Sequence, residues 1–333
     1  MSRSRRTSWW LGGVGLLLAF ALLLKAEPAE VLALAGRARW SGLLAALAGT
    51  ALLALLRGAR LSLLAGGELR LKPSTAVAAV AQLATGVLPL RLGELAMIPL
   101  LQAAGLPGAI RGLSVLVLVR VLDLLAVLLW ATAGGALIGG SPEFAGAMLV
   151  SMAVVLAAAW VAGMRVIRRL VGRWRRAPGW RRKALRQLLR VRREVVHLAR
   201  SPARTCAAVL LSVLLWAVIW AVTVVLLRAM ALTWPPSRVL LGVLGAAIGS
   251  SLPISSVGSF GTQEAGWAAA LAGLGVAPQA ALAAGFACHL WSLAFTFVVG
   301  GAGLVYLASC PPAPSSTPLR TRLSSFFRSD RRA

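Results

Sequence analysis

Acidic residues are scarce in this sequence of 333 residues: Asp and Glu together number nine, against 35 Lys and Arg. Charged residues of both signs make up 13% of the chain, whereas an average soluble domain carries about a quarter. Hydrophobic residues make up 59%, and several apolar runs approach or exceed the ~20 residues that span a bilayer as a helix. The composition therefore excludes an ordinary soluble domain and predicts a polytopic membrane protein.

Cysteine and histidine are also rare, with three and two copies. Cys206, Cys288 and Cys310 have neither paired nor metal-ligand spacing, so we predict no disulfide and no zinc site, and we interpret them as small buried apolar residues. The sequence contains no phosphate-binding Walker loop, no histidine cluster with metal spacing and no Ser-His-Asp arrangement that can be singled out. We expect no catalytic residues, no metal and no cofactor, and therefore a protein that is not an enzyme.

The net charge of +26 would indicate nucleic-acid binding in a soluble protein. Its distribution favours a membrane surface instead, because fifteen of the 35 basic residues fall between Arg165 and Arg204 and most others lie near the chain ends or beside apolar runs. Residues 165–205 interleave Arg with Leu, Val and Trp, which predicts a basic amphipathic helix on the anionic cytoplasmic leaflet. RNA binding is the weaker alternative. The expected partners are membrane lipids and their anionic headgroups, with no nucleic acid.

Six apolar segments are plausible transmembrane helices. They are Trp9–Leu24, Trp40–Leu56, Gly112–Ile138, Phe144–Met164, Cys206–Met230 and Ala277–Leu307. The first follows several arginines but is not followed by a small-residue cleavage site, so we interpret it as a retained helix and not as a signal peptide.

Two further apolar segments, residues 75–105 and 239–274, are each interrupted by Pro and Gly. Each half is only about 11–15 residues long, which suits a re-entrant hairpin better than a membrane span. We therefore predict an all-α polytopic membrane protein with about six full transmembrane helices plus two broken re-entrant hairpins, forming a single domain over residues 1–310. The alternative is that each broken segment crosses fully, as extra spans. Residues 311–333 are rich in Pro, Ser and Arg, which predicts a disordered basic tail.

The distribution of Lys and Arg also orients the chain. With the N-terminus in the cytoplasm, residues 57–72, 165–204 and 320–332 fall inside and are rich in basic residues, whereas the intervening connections outside hold few. This assignment requires each broken segment to enter and leave on one side of the membrane. It also places both termini in the cytoplasm.

The two broken segments resemble one another and predict an inverted repeat. The corresponding elements are Leu88-Pro89 with Leu252-Pro253, and Gly93-Glu94 with Gly261 to Glu264. Each segment is followed by a span with a basic residue at mid-depth, Arg120 in the first copy and His289 in the second. The orientation above makes the hairpins enter from opposite sides, a pattern typical of transporters with a site near the bilayer midplane. The alternative is chance similarity between two stretches rich in Ala, Leu and Gly.

Six ionisable residues at or near membrane depth are candidates for a substrate site: Arg91, Glu94, Arg120, Asp123, Glu264 and His289. A charge at the bilayer centre is costly, so each must pair, be neutralised or face water. Arg120 and Asp123 stand three apart on one helix and form either a structural ion pair or a site in which Asp123 orients Arg120 toward an anionic headgroup.

Glu264 and His289 each have a structural and a functional interpretation. Glu264 is expected in the first turn of a helix that restarts after Gly261, where the helix dipole alone would favour an acidic residue. His289 is either an interior hydrogen-bonding residue or a proton carrier.

The segments "LPLRLGELAMIPLLQAAG" (88–105), "VLVRVLDLL" (117–125) and "LPISSVGSFGTQEAGW" (252–267) together carry a resemblance. Over roughly residues 10–308 the chain resembles the lysylphosphatidylglycerol synthase transmembrane family of flippase-like integral membrane proteins. Two departures are Gln263, where that family commonly has Arg, and His289, where Arg is frequent. The family's aminoacyltransferase domain is not expected, because no polar segment exceeds about 40 residues.

The resemblance implies movement of a lipid, often with an anionic or polyprenyl-phosphate headgroup, across the bacterial inner membrane. In that interpretation Arg91 and Arg120 contact the headgroup, and Glu94 and Glu264 shape the two halves of the site. Asp123 and His289 tune its charge, while Gly261 and Gln263 belong to the second half. Lipid-biosynthesis enzymes are candidate partners.

Two other functions stay open at this point. One is proton-coupled transport of a small soluble substrate through Glu264 and His289. The other is a non-transporting membrane subunit whose basic segment, residues 165–205, recruits cytoplasmic partners.

Overall fold

The computed structural model describes residues 17–88, 92–137, 180–251 and 259–310, and regular secondary structure in these residues is helical, without strands. The prediction of an all-α membrane protein is confirmed. The helices are α1 (residues 17–25), α2 (Pro28–Gly36), α3 (Trp40–Leu64), α4 (Leu71–Val87), α5 (Leu92–Ala103), α6 (Ala109–Leu137), α7 (Trp180–Ala199), α8 (Pro202–Ala229), α9 (Pro236–Ser250), α10 (Thr262–Ala272) and α11 (Pro278–Ser309).

Four of these helices, α3, α6, α8 and α11, are long and apolar enough to cross a membrane. They correspond to four of the six predicted spans. Trp9–Leu24 is described only from residue 17, where it is helical, and Phe144–Met164 lies outside the described residues.

The helix that contains the second predicted span is longer than that span. The span was predicted to end at Leu56, with Arg57 and Arg60 in a basic segment after it, whereas α3 continues to Leu64. The apolar pattern does not stop at Leu56: Leu61 and Leu64 are buried in the same helix. Both arginines in this stretch line a cavity inside the protein, which is less costly for a charge than facing lipid.

Each broken segment forms two helices that are shorter than a membrane span. Helices α4 and α5 have 17 and 12 residues, and α9 and α10 have 15 and 11. At 1.5 Å per residue, all four fall short of the ~30 Å hydrocarbon core. Residues 89–91 and 252–258, which include the predicted interruptions at Pro89 and Pro253, lie outside the described residues.

The helices of the second hairpin run antiparallel in close contact. A Cβ at Gly266 would collide with the backbone carbonyl of Gly245, and a Cβ at Gly249 would collide with that of Thr262. The later residue of α9, Gly249, thus contacts the earlier residue of α10, Thr262. The two helices are therefore antiparallel, and the chain enters and leaves the hairpin at the same end. Small residues permit such backbone contact between membrane helices, where van der Waals packing is a main source of association.

The two hairpins open toward opposite ends of α3. At its Leu64 end, the Ser62 hydroxyl donates to the Leu69 carbonyl at 2.5 Å and Arg111 pairs with Glu68 at 2.7 Å, which fixes the open end of the first hairpin there. At its Trp40 end, the Arg39 N–H donates at 3.0 Å to the carbonyl of Ala229, the last residue of α8, and only a short connection separates Ala229 from α9. The symmetry that would relate the hairpins as an inverted repeat stays a prediction.

Two buried apolar clusters hold the hairpins against the spans. One surrounds the second hairpin and includes Trp267, Leu271 and Phe286; the other surrounds the first hairpin and includes Val77 and Leu101. Helix α7 lies within the segment predicted to be a basic amphipathic helix, and it packs against α6 and α8. Its position on the membrane surface and the single domain over residues 1–310 stay predictions, and residues 311–333 lie outside the described residues.

Candidate functional site

A cavity of about 460 Å³ lies between the spans and the second hairpin. Five predicted site residues line it, namely Arg120, Asp123, Gln263, Glu264 and His289. Glu94 lines a smaller adjoining pocket of about 110 Å³, which Arg120 and Asp123 also line. Gly261 lies beside the cavity as the residue that precedes α10. Arg91 lies outside the described residues.

Two arginines on α3 join this site, and sequence reasoning missed both. Arg57 and Arg60 stand three residues apart, which places them on one face of the helix, and both line the cavity. Arg60 is deeply buried, with 5% of its side chain exposed, and donates to the Asp123 carboxylate at 2.5 Å and to the Ser212 hydroxyl at 2.8 Å. The apolar residues that resume at Leu61 were the signal that could have placed both arginines inside the helix.

Asp123 is shared between two helices. Its Oδ1 accepts from Arg60 on α3, and its Oδ2 lies 3.5 Å from Nη1 of Arg120 on its own helix. The predicted pair between Arg120 and Asp123 is therefore present, but it is the longer of the two. Nη2 of Arg120 pairs more closely with Glu94 Oε1, at 2.9 Å. Arg120 thus connects the first hairpin to the cavity.

Three arginines and three carboxylates line the cavity and its adjoining pocket. Arg57, Arg60 and Arg120 lie near Glu94 and Asp123, whereas Glu264 contacts His289, and Arg57 forms no ion pair with a described residue. A buried charge without a partner is costly, so an anion beside Arg57 is favourable. Guanidinium groups donate in a planar fork that matches phosphate and carboxylate oxygens.

Glu264 and His289 contact one another in the second half of the site. Glu264 lies in the first turn of α10, as predicted, and is only 1% exposed. Its Oε2 accepts from the Gly261 N–H at 2.7 Å, and its Oε1 contacts Nδ1 of His289. The ring of Phe260 stacks on the His289 ring with centroids 4.2 Å apart. The structural and functional interpretations of Glu264 are therefore compatible, because one oxygen caps the helix and the other contacts His289.

Gly261 is required at this turn for two reasons. Its φ of 90° lies in the left-handed region that side chains other than glycine rarely adopt. A Cβ there would also lie 2.8 Å from the backbone nitrogen of Ala19 in α1. The backbone N–H that Glu264 accepts from is thus fixed in place by close packing.

Among the described residues, exposed side chains of α6 and α9 form part of the cavity wall. Leu124 and Ile248 line it and are exposed, with Ile248 65% exposed, and the side chain of Arg120 is 46% exposed. Because α6 is a candidate membrane span, exposed apolar residues on it face lipid in a bilayer. In the part of the chain that the structure describes, the arrangement combines a polar interior with exposed apolar side chains in the cavity wall.

One comparison with known proteins gives a match. A family model described as Lysylphosphatidylglycerol synthase TM region matches residues 9–300, which include both hairpins and all the site residues above. Comparisons with curated proteins and with solved structures give no match. The resemblance that the hairpin motifs carry is confirmed.

Proposed function

The chain belongs to the lysylphosphatidylglycerol synthase TM region family, and we propose that it is a flippase that moves a lipid with an anionic or polyprenyl-phosphate headgroup across the bacterial inner membrane. The observation that carries this proposal is a cavity that holds three arginines and has exposed apolar side chains of α6 and α9 in its wall. The protein acts here as a transporter and not as an enzyme, and both termini face the cytoplasm.

Lateral entry from the bilayer avoids the main physical obstacle to lipid transport, which is the passage of the charged headgroup through hydrocarbon. A charged headgroup cannot cross the hydrocarbon core unaided, because burying an unpaired charge there is costly. The headgroup enters the cavity between α6 and α9, while the acyl chains stay in the bilayer. Leu124 and Ile248 in the cavity wall provide an apolar surface for those chains.

The charged residues of the cavity have two roles. Some bind the lipid headgroup, and others hold the arginine side chains in position. Arg57, with no described ion-pair partner, and the half-exposed Arg120 bind the headgroup phosphate. Asp123 and Glu94 fix the positions of Arg60 and Arg120 by pairing with their guanidinium groups. Fixed geometry lowers the entropic cost of binding.

Reconstitution into liposomes tests the proposal. The full chain is inserted into vesicles that contain fluorescent phosphatidylglycerol, and the rate of transbilayer movement is read from quenching by a membrane-impermeant reductant. We expect the wild type to accelerate movement and Arg120→Gln to slow it by about tenfold or more, which corresponds to the loss of a charge-assisted hydrogen bond.

Arg37→Gln is the matched control, because Arg37 is an exposed arginine at the C-terminus of α2 that does not line the cavity. It is expected to transport at the wild-type rate. Absence of acceleration by the wild type would contradict the flippase assignment. Equal rates for wild type and Arg120→Gln would contradict the role of Arg120.

A second candidate function is proton-coupled transport of a small soluble substrate. The contact between Glu264 and His289 favours it, because a buried carboxylate and imidazole that line a cavity can hold a transferable proton. Uptake that depends on pH, is lost in His289→Gln and needs no particular lipid would favour this function over lipid movement.

A further inference from the structure

A basic pocket lies at the Leu64 end of α3. It is separate from the cavity lined by Arg120 and Glu264, which is called the transport cavity below. The basic pocket has a volume of about 550 Å³ and is lined by Gly66, Arg111, His197, Arg200, Ser201 and Arg204. None of these residues lines the transport cavity. We propose that this pocket is a separate binding site for a phosphate group. The proposal does not depend on the flippase assignment, because it concerns different residues at one end of the molecule.

Two guanidinium groups from different helices converge at Gly66. A Cβ placed on Gly66 would lie 3.6 Å from Nη2 of Arg111, on α6, and 3.6 Å from Nη1 of Arg204, on α8. Gly66 has a φ of 75°, and its N–H donates to the Leu63 carbonyl at 3.1 Å, which holds the turn after α3 in place. The arginines are therefore gathered around a small, fixed turn that leaves room between them.

Among the described side chains, the basic groups of the pocket outnumber their acidic partners. Arg111 pairs with Glu68 at 2.7 Å, but its Nε is buried without a hydrogen-bond partner. Arg200 and Arg204 form no ion pair with a described residue, and His197 adds a fourth basic side chain from the end of α7. Gathering like charges raises the energy of the empty pocket, and an anion with several oxygens removes that cost.

A phosphate group is the anion that fits these donors. Arginine forks bind phosphate in two-point contacts, and the pocket presents donors from three sides, namely α6, the end of α7 and the start of α8. The end of a transmembrane bundle is also where phospholipid headgroups lie, so a lipid can deliver the phosphate without leaving the bilayer. A soluble phosphate compound offers the same chemistry from the aqueous side.

The test uses the full chain in detergent, with native mass spectrometry to count bound molecules. The probes are short-chain phosphatidate in one arm and inorganic phosphate in the other. Arg204→Gln is expected to weaken binding of the effective probe about tenfold or more, since a charge-assisted hydrogen bond is lost. Arg204→Lys keeps the positive charge and is therefore expected to bind the probe more tightly than Arg204→Gln does.

The control is Arg190→Gln, which removes an exposed arginine of α7 that does not line the pocket. It is expected to leave binding unchanged. Saturable binding of phosphatidate identifies a lipid headgroup, and saturable binding of inorganic phosphate identifies a soluble source; either supports the site. An equal loss in Arg190→Gln and Arg204→Gln would indicate diffuse surface attraction and overturn the proposal, as would absence of saturable binding by the wild type.

A result that contradicts the phosphate site can be distinguished from one that contradicts the flippase assignment, because the two proposals concern different residues. Arg204→Gln removes no residue of the transport cavity, and Arg120→Gln removes none of this pocket. Loss of phosphate binding in Arg120→Gln, with Arg204→Gln unaffected, would move the phosphate site to the transport cavity and overturn the inference.

Discussion

Asp123 is the carboxylate on which the arrangement of the arginine cluster depends. It accepts from the buried Arg60 at 2.5 Å and lies 3.5 Å from Arg120, so it connects α3 to α6. Breaking a buried pair by removing one partner is expensive, because the remaining charge has no compensation. Removing both partners is less costly, since neither charge is then left alone.

Asp123→Asn is expected to destabilise the protein by about 3–5 kcal/mol, because it leaves Arg60 buried with only a neutral partner. The measurement is thermal unfolding in detergent, followed by tryptophan fluorescence. Glu68→Gln is the comparison, since its pair with Arg111 is at a more exposed position and is expected to contribute about 1 kcal/mol or less. The double variant Arg60→Met with Asp123→Leu should recover part of the loss. Equal effects of Asp123→Asn and Glu68→Gln would contradict this role for Asp123.

At the residue scale, a single sequence shows isolated charges in apolar segments but not their partners. An ionisable residue inside an apolar segment stands out, which is how Glu264 and His289 were found. Their mutual contact was not predictable, because they are 25 residues apart on different helices and only local spacings can be read from one sequence. Arg57 and Arg60 were missed because their charge was taken as the end of a span, although the apolar pattern continues beyond them.

At the scale of elements, the second hairpin depends on backbone contact between its two helices. Gly245 and Gly249 on α9 face Gly266 and Thr262 on α10, so neighbouring helices meet without side chains between them. The sequence predicts the interruption of this segment, because Pro and Gly break helices. It does not predict which glycines make the contact, since α9 alone also contains Gly242, which faces the Trp267 ring instead.

Gly266→Ala is expected to destabilise the hairpin, because the new methyl group would collide with the Gly245 carbonyl and force α9 and α10 apart. Overpacking of this kind costs typically about 1–3 kcal/mol. Gly301→Ala is the matched control: Gly301 is also helical, in α11, but a Cβ there meets nothing within 4 Å. It should be neutral or stabilising by up to about 1 kcal/mol, from helix propensity.

Unfolding temperatures of the purified variants decide this prediction. A lower temperature for Gly266→Ala than for Gly301→Ala is expected. If both variants unfold at the wild-type temperature, the close contact between α9 and α10 does not contribute to stability as argued.

At the scale of the whole molecule, two hairpins that open to opposite ends contribute to one polar region. Arg120 and Glu94 connect the first hairpin to it, and Glu264 and Gln263 on the second hairpin line it directly. The count of basic residues predicted opposite entry from the sequence, because charge in the connections orients membrane helices. The convergence of the site was not predictable, since it depends on how α3, α6 and α11 pack.

Labelling of single cysteines tests this arrangement in the membrane. In a background without Cys206, Cys288 and Cys310, two exposed positions are compared: Lys72→Cys, at the open end of the first hairpin, and Thr233→Cys, before the second. We expect a membrane-impermeant maleimide to label Thr233→Cys in intact cells and Lys72→Cys only after the membrane is permeabilised. Lys72 lies near the basic end of the bundle, which the positive-inside rule keeps in the cytoplasm. Labelling of both positions from the same side would mean that the hairpins open to one side of the membrane, which contradicts their opening toward opposite ends of α3.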